Sequence, residues 1–270
     1  MANAELSRGV TRAQPADWAR DELTRFLSIA EEQMFATFAN ERGLVQLVID
    51  YDRRLTCRVG DLFHEHKPEL RESALLFMRM FSSFRAAVRL LFAGQLWEGH
   101  VLLRNIIECA VYAWACGRDT ELARVWANRE NSDEARRECK HAFRWIALRA
   151  RLAAEGTDFA ARIHREYESL IESGAHPNRP GIELGVEVED LGANKRLIQS
   201  IFLHGEASAI QMGLLDVLRA MDLGYELLRR SWVERIRLLG IDREVDDIRR
   251  RLGAEASRLE VLLPKNSEAP

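Results

Sequence analysis

The sequence predicts an all-α protein: a multi-helix bundle built around a central antiparallel helical hairpin, with a short extended excursion near residues 181–203. Three observations support this prediction. Apolar residues recur at helical spacing over most of the 270 positions, the stretch 95–116 is apolar on nearly every face, and only the segment 182–188 alternates with a period of two. Because a helix that is apolar nearly all round is a buried one, residues 95–116 should lie at the centre of the bundle.

The composition is that of an ordinary globular protein. Hydrophobic residues make up 47% and charged residues 30%. The net charge of −3 argues against a whole surface devoted to polyanion binding but is compatible with a local basic patch. Arginine outnumbers lysine 35 to 4. We interpret this first as codon bias, because arginine is spread along the chain; many bidentate phosphate contacts are the alternative. The four cysteines, at 57, 109, 116 and 139, form no C-x-x-C pair, and neither a disulfide framework nor a zinc site is indicated.

No window of eighteen residues is free of charge, and the polar N-terminus lacks the apolar core of a secretory signal. We therefore expect a protein without a membrane segment, located in the cytoplasm. Domain boundaries follow from where the helical periodicity starts and stops. We expect a disordered tail at 1–15, a single helical domain at 16–240, a C-terminal amphipathic helix at 241–263 and a tail at 264–270.

The first half of the domain should contain four helical segments. Asp17 is the expected N-cap of the first, and polar residues near 40–43 interrupt the pattern before the second. Pro68 lies near the first turn of the third, a strongly amphipathic helix that ends at Gly94. The fourth segment, 95–116, follows at once. So short a connection makes the third and fourth helices an antiparallel pair.

The second half should contain shorter helices and one irregular segment. We predict a helix at 119–129 and a longer helix that Ser132 caps and that continues to Gly156. A further helix should follow Asp158, and the stretch 205–240 should also be helical. Two prolines and four glycines fall between 174 and 192. We expect a short hairpin or extended excursion there, in which residues 197–202 form either the partner strand or the start of the next helix.

Three ionisable residues interrupt the apolar stretch 95–116. His100, Arg104 and Glu108 follow one another at a spacing of four, so they share one stripe of the helix. Because a charge is rarely buried without a partner, the stripe is either a structural ion pair or the floor of a site. In a site, Arg104 would bind an anion through its bidentate guanidinium and Glu108 would orient it, with His100 as a further binding group.

The second candidate group is His176-Pro177-Asn178, within the Gly/Pro-rich segment. Pro177 pushes His176 toward an extended conformation, and loops held by a scaffold often carry functional side chains. A histidine beside an asparagine suits a general base with its orienting partner, whereas a solvated loop histidine is the alternative. We name His176, Arg104 and Glu108 as catalytic candidates and His100 and Asn178 as binding candidates. No metal-ligand set and no cofactor motif is recognised.

The segment LLRNIIECAVYAWA, the Trp-containing stretch 123–129 and the sequence SGAHPN together resemble an uncharacterised bacterial helical family. Members of that family pair an R-x-x-x-E helix with a later S-x-x-H-P loop, as Arg104/Glu108 and Ser173/His176/Pro177 do here. The similarity covers residues 70–232. Such families are placed near the HEPN helical domains, many of which are ribonucleases or toxins of bacterial defence systems.

The HEPN ribonuclease signature is an arginine followed, after four to six residues, by a histidine. The chain matches this spacing at Arg58/His64 and at Arg136/His141, but the polar residue that usually follows the arginine is Val59 or Arg137 here. Neither match lies on a segment with other features of a site. The catalytic motif of the HEPN ribonucleases therefore does not carry over to this chain.

Two functions remain as hypotheses, with a purely structural role for the domain as a third alternative. The first is a homodimer that binds a small anionic ligand or a partner chain at an Arg104/Glu108/His176 site, with the long amphipathic helices near the chain ends as the interface. The second, implied by the resemblance, is a metal-independent ribonuclease in which His176 is the acid–base and Arg104 stabilises the phosphorane charge on RNA. The ribonuclease needs all three side chains in one open cleft.

Overall fold

Helices form most of the structure, which confirms the all-α prediction. The computed structural model describes residues 15–64, 67–175, 179, 182, 185–192 and 195–262. Its helices are α1 (Glu22–Asn40), α2 (Arg42–Arg54), α3 (Val59–Phe63), α4 (Arg71–Phe92), α5 (Leu96–Arg118), α6 (Thr120–Ala127), α7 (Asp133–Ala142), α8 (Trp145–Glu155), α9 (Thr157–Leu170), α10 (Ala207–Ser231), α11 (Val233–Leu238) and α12 (Ile241–Leu262). A single π turn, Ile171–Ala175, follows α9.

The helices α4 and α5 form the predicted antiparallel hairpin along their whole length. Near the connection, a Cβ atom on Gly99 would lie 2.4 Å from Leu91 Cδ2. Midway, the Asn105 amide donates to the Ser83 hydroxyl at 2.6 Å, and at the far end Gly117 faces Ser73. Small residues at these contacts let the two backbones approach closely, and α10 packs against both helices.

The hairpin supplies the centre of the hydrophobic core. Fully buried aromatic side chains line α4, and aliphatic side chains of α5 and α10 pack against them; they include Phe77, Phe81, Phe84, Leu103, Ile106, Ile107, Leu214, Leu218 and Met221. Burial raises the pKa of the free thiols of Cys109 and Cys116, to about 11 and about 12. These two cysteines therefore act as small apolar side chains.

The C-terminal helix α12 packs against α2 and is held by arginine ion pairs. Arg251 pairs with Asp50 on α2, and Arg249 bridges Asp222 and Glu226 on α10. Burial by itself would raise the pKa of Glu226, but Arg249 and Arg229 hold it below its ordinary value. None of the helices in the described part of the chain is both long and apolar enough to cross a membrane.

The predicted extended excursion is a two-stranded antiparallel hairpin of β1 (Val186–Gly192) and β2 (Lys195–Ser200). Val188 pairs with Ile198 across the strands, and both are largely exposed, at 55% and 67%. Residues 195–200 thus form the partner strand, and the other prediction for this segment, an early start of the next helix, is wrong because α10 begins at Ala207.

Three helix ends differ from the sequence-based predictions. The N-cap of α1 is Asp21 rather than Asp17, because the Asp21 carboxylate accepts hydrogen bonds from both the backbone N–H and the hydroxyl of Thr24. The long helix predicted from Ser132 to Gly156 is broken between α7 and α8, where Arg144 is extended. The helix predicted for 205–240 ends at Ser231, and Trp232 leaves helical geometry.

The turn between α4 and α5 depends on Gly94. This residue has φ +80°, its carbonyl accepts from the His204 N–H at 2.9 Å, and an added Cβ would lie 2.2 Å from the His204 carbonyl oxygen. We predict that Gly94→Ala lowers the free energy of unfolding by more than about 2 kcal/mol, because left-handed strain adds to a backbone clash. Urea denaturation measures this.

The control is Gly60→Ala. Gly60 lies in α3 and has open space around its Cα, so alanine there should be neutral or stabilise by up to about 1 kcal/mol. Equal effects of the two substitutions would contradict the role of Gly94.

Candidate functional site

The stripe of His100, Arg104 and Glu108 runs along the face of α5 that meets α9 and α10. The side chains are 9%, 21% and 31% exposed, respectively. The stripe is therefore neither sealed in the core nor fully open. It begins in the protein interior at His100 and reaches solvent toward Glu108.

Arg104 and Glu108 form the ion pair that their spacing predicts. The Nε and Nη2 atoms of Arg104 lie 3.0 and 2.9 Å from Glu108 Oε1. The Tyr167 hydroxyl of α9 donates to the same oxygen at 2.9 Å, and the Arg104 guanidinium lies 5.3 Å from the centre of the Tyr167 ring. Burial alone would lower the pKa of Arg104, but the neighbouring Glu108 and Tyr167 raise it. The guanidinium is thus held firmly in its charged form.

Tyr167 is itself fixed by an aromatic stack. Trp145, the first residue of α8, lies parallel to it with ring centres 3.8 Å apart and planes 19° apart. The Trp145 indole N–H donates to His164 Nδ1 at 3.3 Å. His164 Nδ1 also lies 3.6 Å from the Glu168 carboxylate, which is longer than its contact with the indole N–H. Burial, and next the Glu108 carboxylate, raise the pKa of Tyr167.

The buried end of the stripe has a second set of partners. His100 Nε2 lies 3.1 Å from the Asp216 carboxylate on α10, and Arg219 contacts the other oxygen of Asp216 at 3.3 Å. Glu166 of α9 faces the same group: burial, and next the Asp216 charge, raise the pKa of its carboxyl. His100 Nδ1 is buried, and no described residue offers it a hydrogen bond.

The structure therefore places three of the five candidate residues on one surface. His176 and Asn178 lie outside the described residues, so their position relative to Arg104 stays a prediction. The turn that leads toward them, Ile171–Ala175, packs against α5.

Sequence reasoning missed Asp216, Glu166 and Tyr167. The signal for Asp216 was present, because it is a lone carboxylate within the apolar run from Met212 to Leu218, the same kind of interruption that identified the stripe on α5. Tyr167 follows Ile163 at an apolar helical spacing, which predicts that it is buried but not that it contacts Glu108. Glu166 lies among polar residues of α9, and nothing in its spacing distinguishes it from exposed neighbours.

The two arginines of the HEPN-like spacing are engaged in ion pairs. Arg58 contacts Glu244, Asp61 and the carbonyl of Leu239. Arg136 contacts Glu130 and Asp133. Both guanidinium groups thus have acidic partners on neighbouring turns or helices.

No group of three or more His, Cys, Asp or Glu side chains within the described ranges is placed to hold a metal ion. Comparisons with protein-family models, curated proteins and solved structures return no match. The side chains of the site are therefore the basis for assigning a function.

The hydrogen bond between Tyr167 and Glu108 should couple α9 to α5. We predict that a double-mutant cycle of Tyr167→Phe and Glu108→Gln gives a coupling energy of about 1 kcal/mol in the free energy of unfolding, because the acceptor is charged but partly exposed. Strictly additive effects would show that the contact contributes nothing to stability.

Glu166 should make stability depend on pH with a defined sign. Because its folded-state pKa is raised above the ordinary 4.5, its contribution to stability is present below that pH and is lost as pH rises. We predict that Glu166→Gln, which mimics the protonated form, becomes progressively more stable relative to the parent protein from about pH 4.5 upward. Chemical denaturation at a series of pH values measures the difference.

Glu226 provides a control of opposite sign. Its pKa is lowered, so its contribution is present above the ordinary value of 4.5 and is lost as pH falls below it. The parent protein should therefore lose stability relative to Glu226→Gln on acidification. The same slope for both variants would contradict the two assignments.

Proposed function

We propose that this chain is a homodimeric binding protein whose α5 stripe holds a small ligand with both an anionic group and a hydrogen-bond donor. The observation that carries this proposal is His100 beside Asp216: its Nδ1 is buried, and no residue in the described part of the chain forms a hydrogen bond with it. Such a group points to a ligand atom that completes it, because an unsatisfied buried polar atom costs about 1–3 kcal/mol.

The side chains at the His100 end of the stripe favour a hydrogen-bond donor on the ligand. In the tautomer whose Nε2–H donates to the Asp216 carboxylate, Nδ1 is a hydrogen-bond acceptor. Asp216 and Glu166 add carboxyl oxygens nearby. A ligand hydroxyl or ammonium would satisfy this group, whereas an anion at this end would meet two acidic side chains.

The Arg104 end of the stripe favours the anionic group of the ligand. Arg104 lies one helical turn, about 6 Å, from His100. Its guanidinium is oriented by Glu108 and Tyr167, and it suits a carboxylate or phosphate. Since Arg104 is 21% exposed, a ligand can reach it from solvent. The matching ligand is therefore a small zwitterion or a hydroxylated acid.

The ribonuclease alternative would use His176, which lies outside the described residues. None of the described contacts favours RNA cleavage over ligand binding, so binding is the function that we propose.

Matched small probes test this function. Saturation-transfer NMR with 4-aminobutyrate, butyrate and butylamine separates the two ends, because the first compound carries both groups and the others carry one each. We expect 4-aminobutyrate to bind most tightly, and either His100→Gln or Arg104→Lys to weaken it about tenfold or more, the loss of one charge-assisted contact. His141→Gln and Arg149→Lys, on exposed positions, are the controls.

Two outcomes would overturn the proposal. One is equal binding of all three probes or of none, and the other is equal weakening by the site variants and the controls. An RNA-cleavage assay on the same proteins then tests the ribonuclease alternative.

The homodimer is proposed from the apolar surface of α1. Leu23, Phe35 and Phe38 are 66%, 67% and 56% exposed, and the Phe202 ring, 68% exposed, packs edge-on against Phe26 at 6.3 Å. A groove of about 1270 Å³ runs between α1 and α4. Exposed apolar surface of this extent is typical of an interface.

We propose that a second copy of this chain covers the surface, because exposed phenylalanine rings lie directly beside the groove. Phe35 and Phe38 project from the wall of the groove that would receive them, which is the self-complementarity that a twofold dimer requires. A helix of this length, about 28 Å, is long enough to contribute much of the roughly 800 Å² per partner that a stable interface needs.

We predict that the parent protein sediments as a dimer and that Phe35→Glu/Phe38→Glu converts it to a monomer with unchanged helical content. The control pair is Ile146→Glu/Leu238→Glu. These residues are as exposed, at 78% and 76%, but lie on other helices. Analytical ultracentrifugation gives the masses. A monomeric parent protein, or dissociation by both pairs alike, would contradict the interface.

A further inference from the structure

A pocket of about 510 Å³ lies beyond the end of the α5 stripe, between α6, α7 and the start of α8. Its volume falls within the range of about 300–1,000 Å³ typical of small-molecule sites. The lining combines aromatic side chains with an excess of cations: Tyr112, Trp126, Arg129, Glu130, Arg136, Cys139, Lys140, Phe143 and Arg144.

Three aromatic rings form the apolar wall. Trp126 lies 5.4 Å from Tyr112 and 5.2 Å from Phe143, in edge-on and tilted arrangements. The Tyr112 hydroxyl donates to the Phe143 carbonyl at 3.2 Å, and burial raises the pKa of Tyr112 to about 12. The wall is therefore apolar and uncharged, and its two partly exposed rings, Tyr112 and Trp126, suit contact with a planar aromatic group.

The charged rim divides into a paired and an unpaired part. The Arg129 guanidinium stacks 4.5 Å from the Trp126 ring and, like Arg136, pairs with Glu130. Among the described residues, no carboxylate lies within ion-pair distance of Lys140 or Arg144. These two exposed side chains thus leave a local positive charge on a chain whose net charge is −3.

The arrangement of α7 makes this combination possible. Arg136, Cys139 and Lys140 lie on one face of α7, and Phe143, directly after its last residue, continues the same spacing, so two cations and an aromatic ring line the pocket together. The break after Phe143 then turns Arg144 to the same rim.

We propose that this pocket binds a nucleoside 5′-phosphate, with the base against the aromatic wall and the phosphate at Lys140 and Arg144. Arginine and lysine bind phosphate through charge-assisted hydrogen bonds, and nucleobases stack on aromatic and guanidinium planes. The same chemistry is offered by a free mononucleotide and by the 5′ end of a nucleic acid strand. The proposal does not depend on the ligand of the α5 stripe.

Isothermal titration calorimetry with AMP, adenosine and inorganic phosphate tests the two halves of the pocket. AMP should bind at least about tenfold more tightly than either fragment, since only AMP occupies both halves. Lys140→Gln/Arg144→Gln should weaken AMP binding at least about tenfold, as expected for loss of two charge-assisted contacts. The matched control, Arg149→Gln/Arg165→Gln, removes the same charge from exposed positions outside the pocket.

The position of the ligand is read from the Trp126 indole N–H in NMR spectra of labelled protein, assigned with Trp126→Phe. A shift of this resonance on AMP addition supports the proposal. Three results would overturn it: no binding at about 1 mM AMP, equal affinity for AMP and phosphate, or equal weakening by both double variants. Because His100 and Arg104 are unchanged here, failure of the pocket and failure of the α5 site are distinguishable.

A 5′-phosphorylated dinucleotide distinguishes a free mononucleotide from the 5′ end of a nucleic acid strand as the ligand. Binding as tight as that of AMP supports the end of a strand, and loss of binding supports a free nucleotide.

Discussion

The burial of α5 depends on satisfying the polar groups of a single stripe. A charged or hydroxyl-bearing side chain in the interior costs more than it contributes unless a partner replaces water. Arg104 pairs with Glu108 on α5 itself, and the other contacts reach different elements: His100 contacts α10, Glu108 contacts α9, and Tyr112, one turn further along α5, contacts the segment between α7 and α8. From the start of α5 toward its end, these contacts come from α10, then α9, then the α7–α8 segment, all in the second half of the chain.

This constraint explains why the centre of the fold was predictable and its periphery was not. The α4–α5 pair follows from periodicity and from the short connection at Gly94, both of which are local properties. The break between α7 and α8 is not local, because no proline or glycine marks it. It forms because the Phe143 ring packs against Trp126 and its carbonyl accepts from Tyr112, which leaves Arg144 extended. The end of α10 is similar: Trp232 packs against Phe63 and donates to Ser73.

The site divides in the same way. The pair of Arg104 and Glu108 follows from a spacing of four on one helix, and the structure contains it. The partners of the stripe lie 59 residues away for Tyr167 and 116 for Asp216. No pattern within one helix specifies contacts across such separations, because they depend on how α9 and α10 pack. An isolated acidic residue in an apolar run, as at Asp216, is a sequence signal that reduces the number of residues to consider as partners of the stripe.

The β1–β2 hairpin has a consequence for how the protein behaves in concentrated solution. Each strand has an outer edge whose backbone groups are free to pair with another chain, in the described part of the molecule. Glu187, Glu189 and Asp190 on β1 and Lys195 and Arg196 on β2 give the hairpin a dense set of charges. Such charges discourage uncontrolled growth of a ladder between molecules. The exposed edges of an otherwise helical protein thus carry charges of the kind that oppose edge-to-edge pairing of strands.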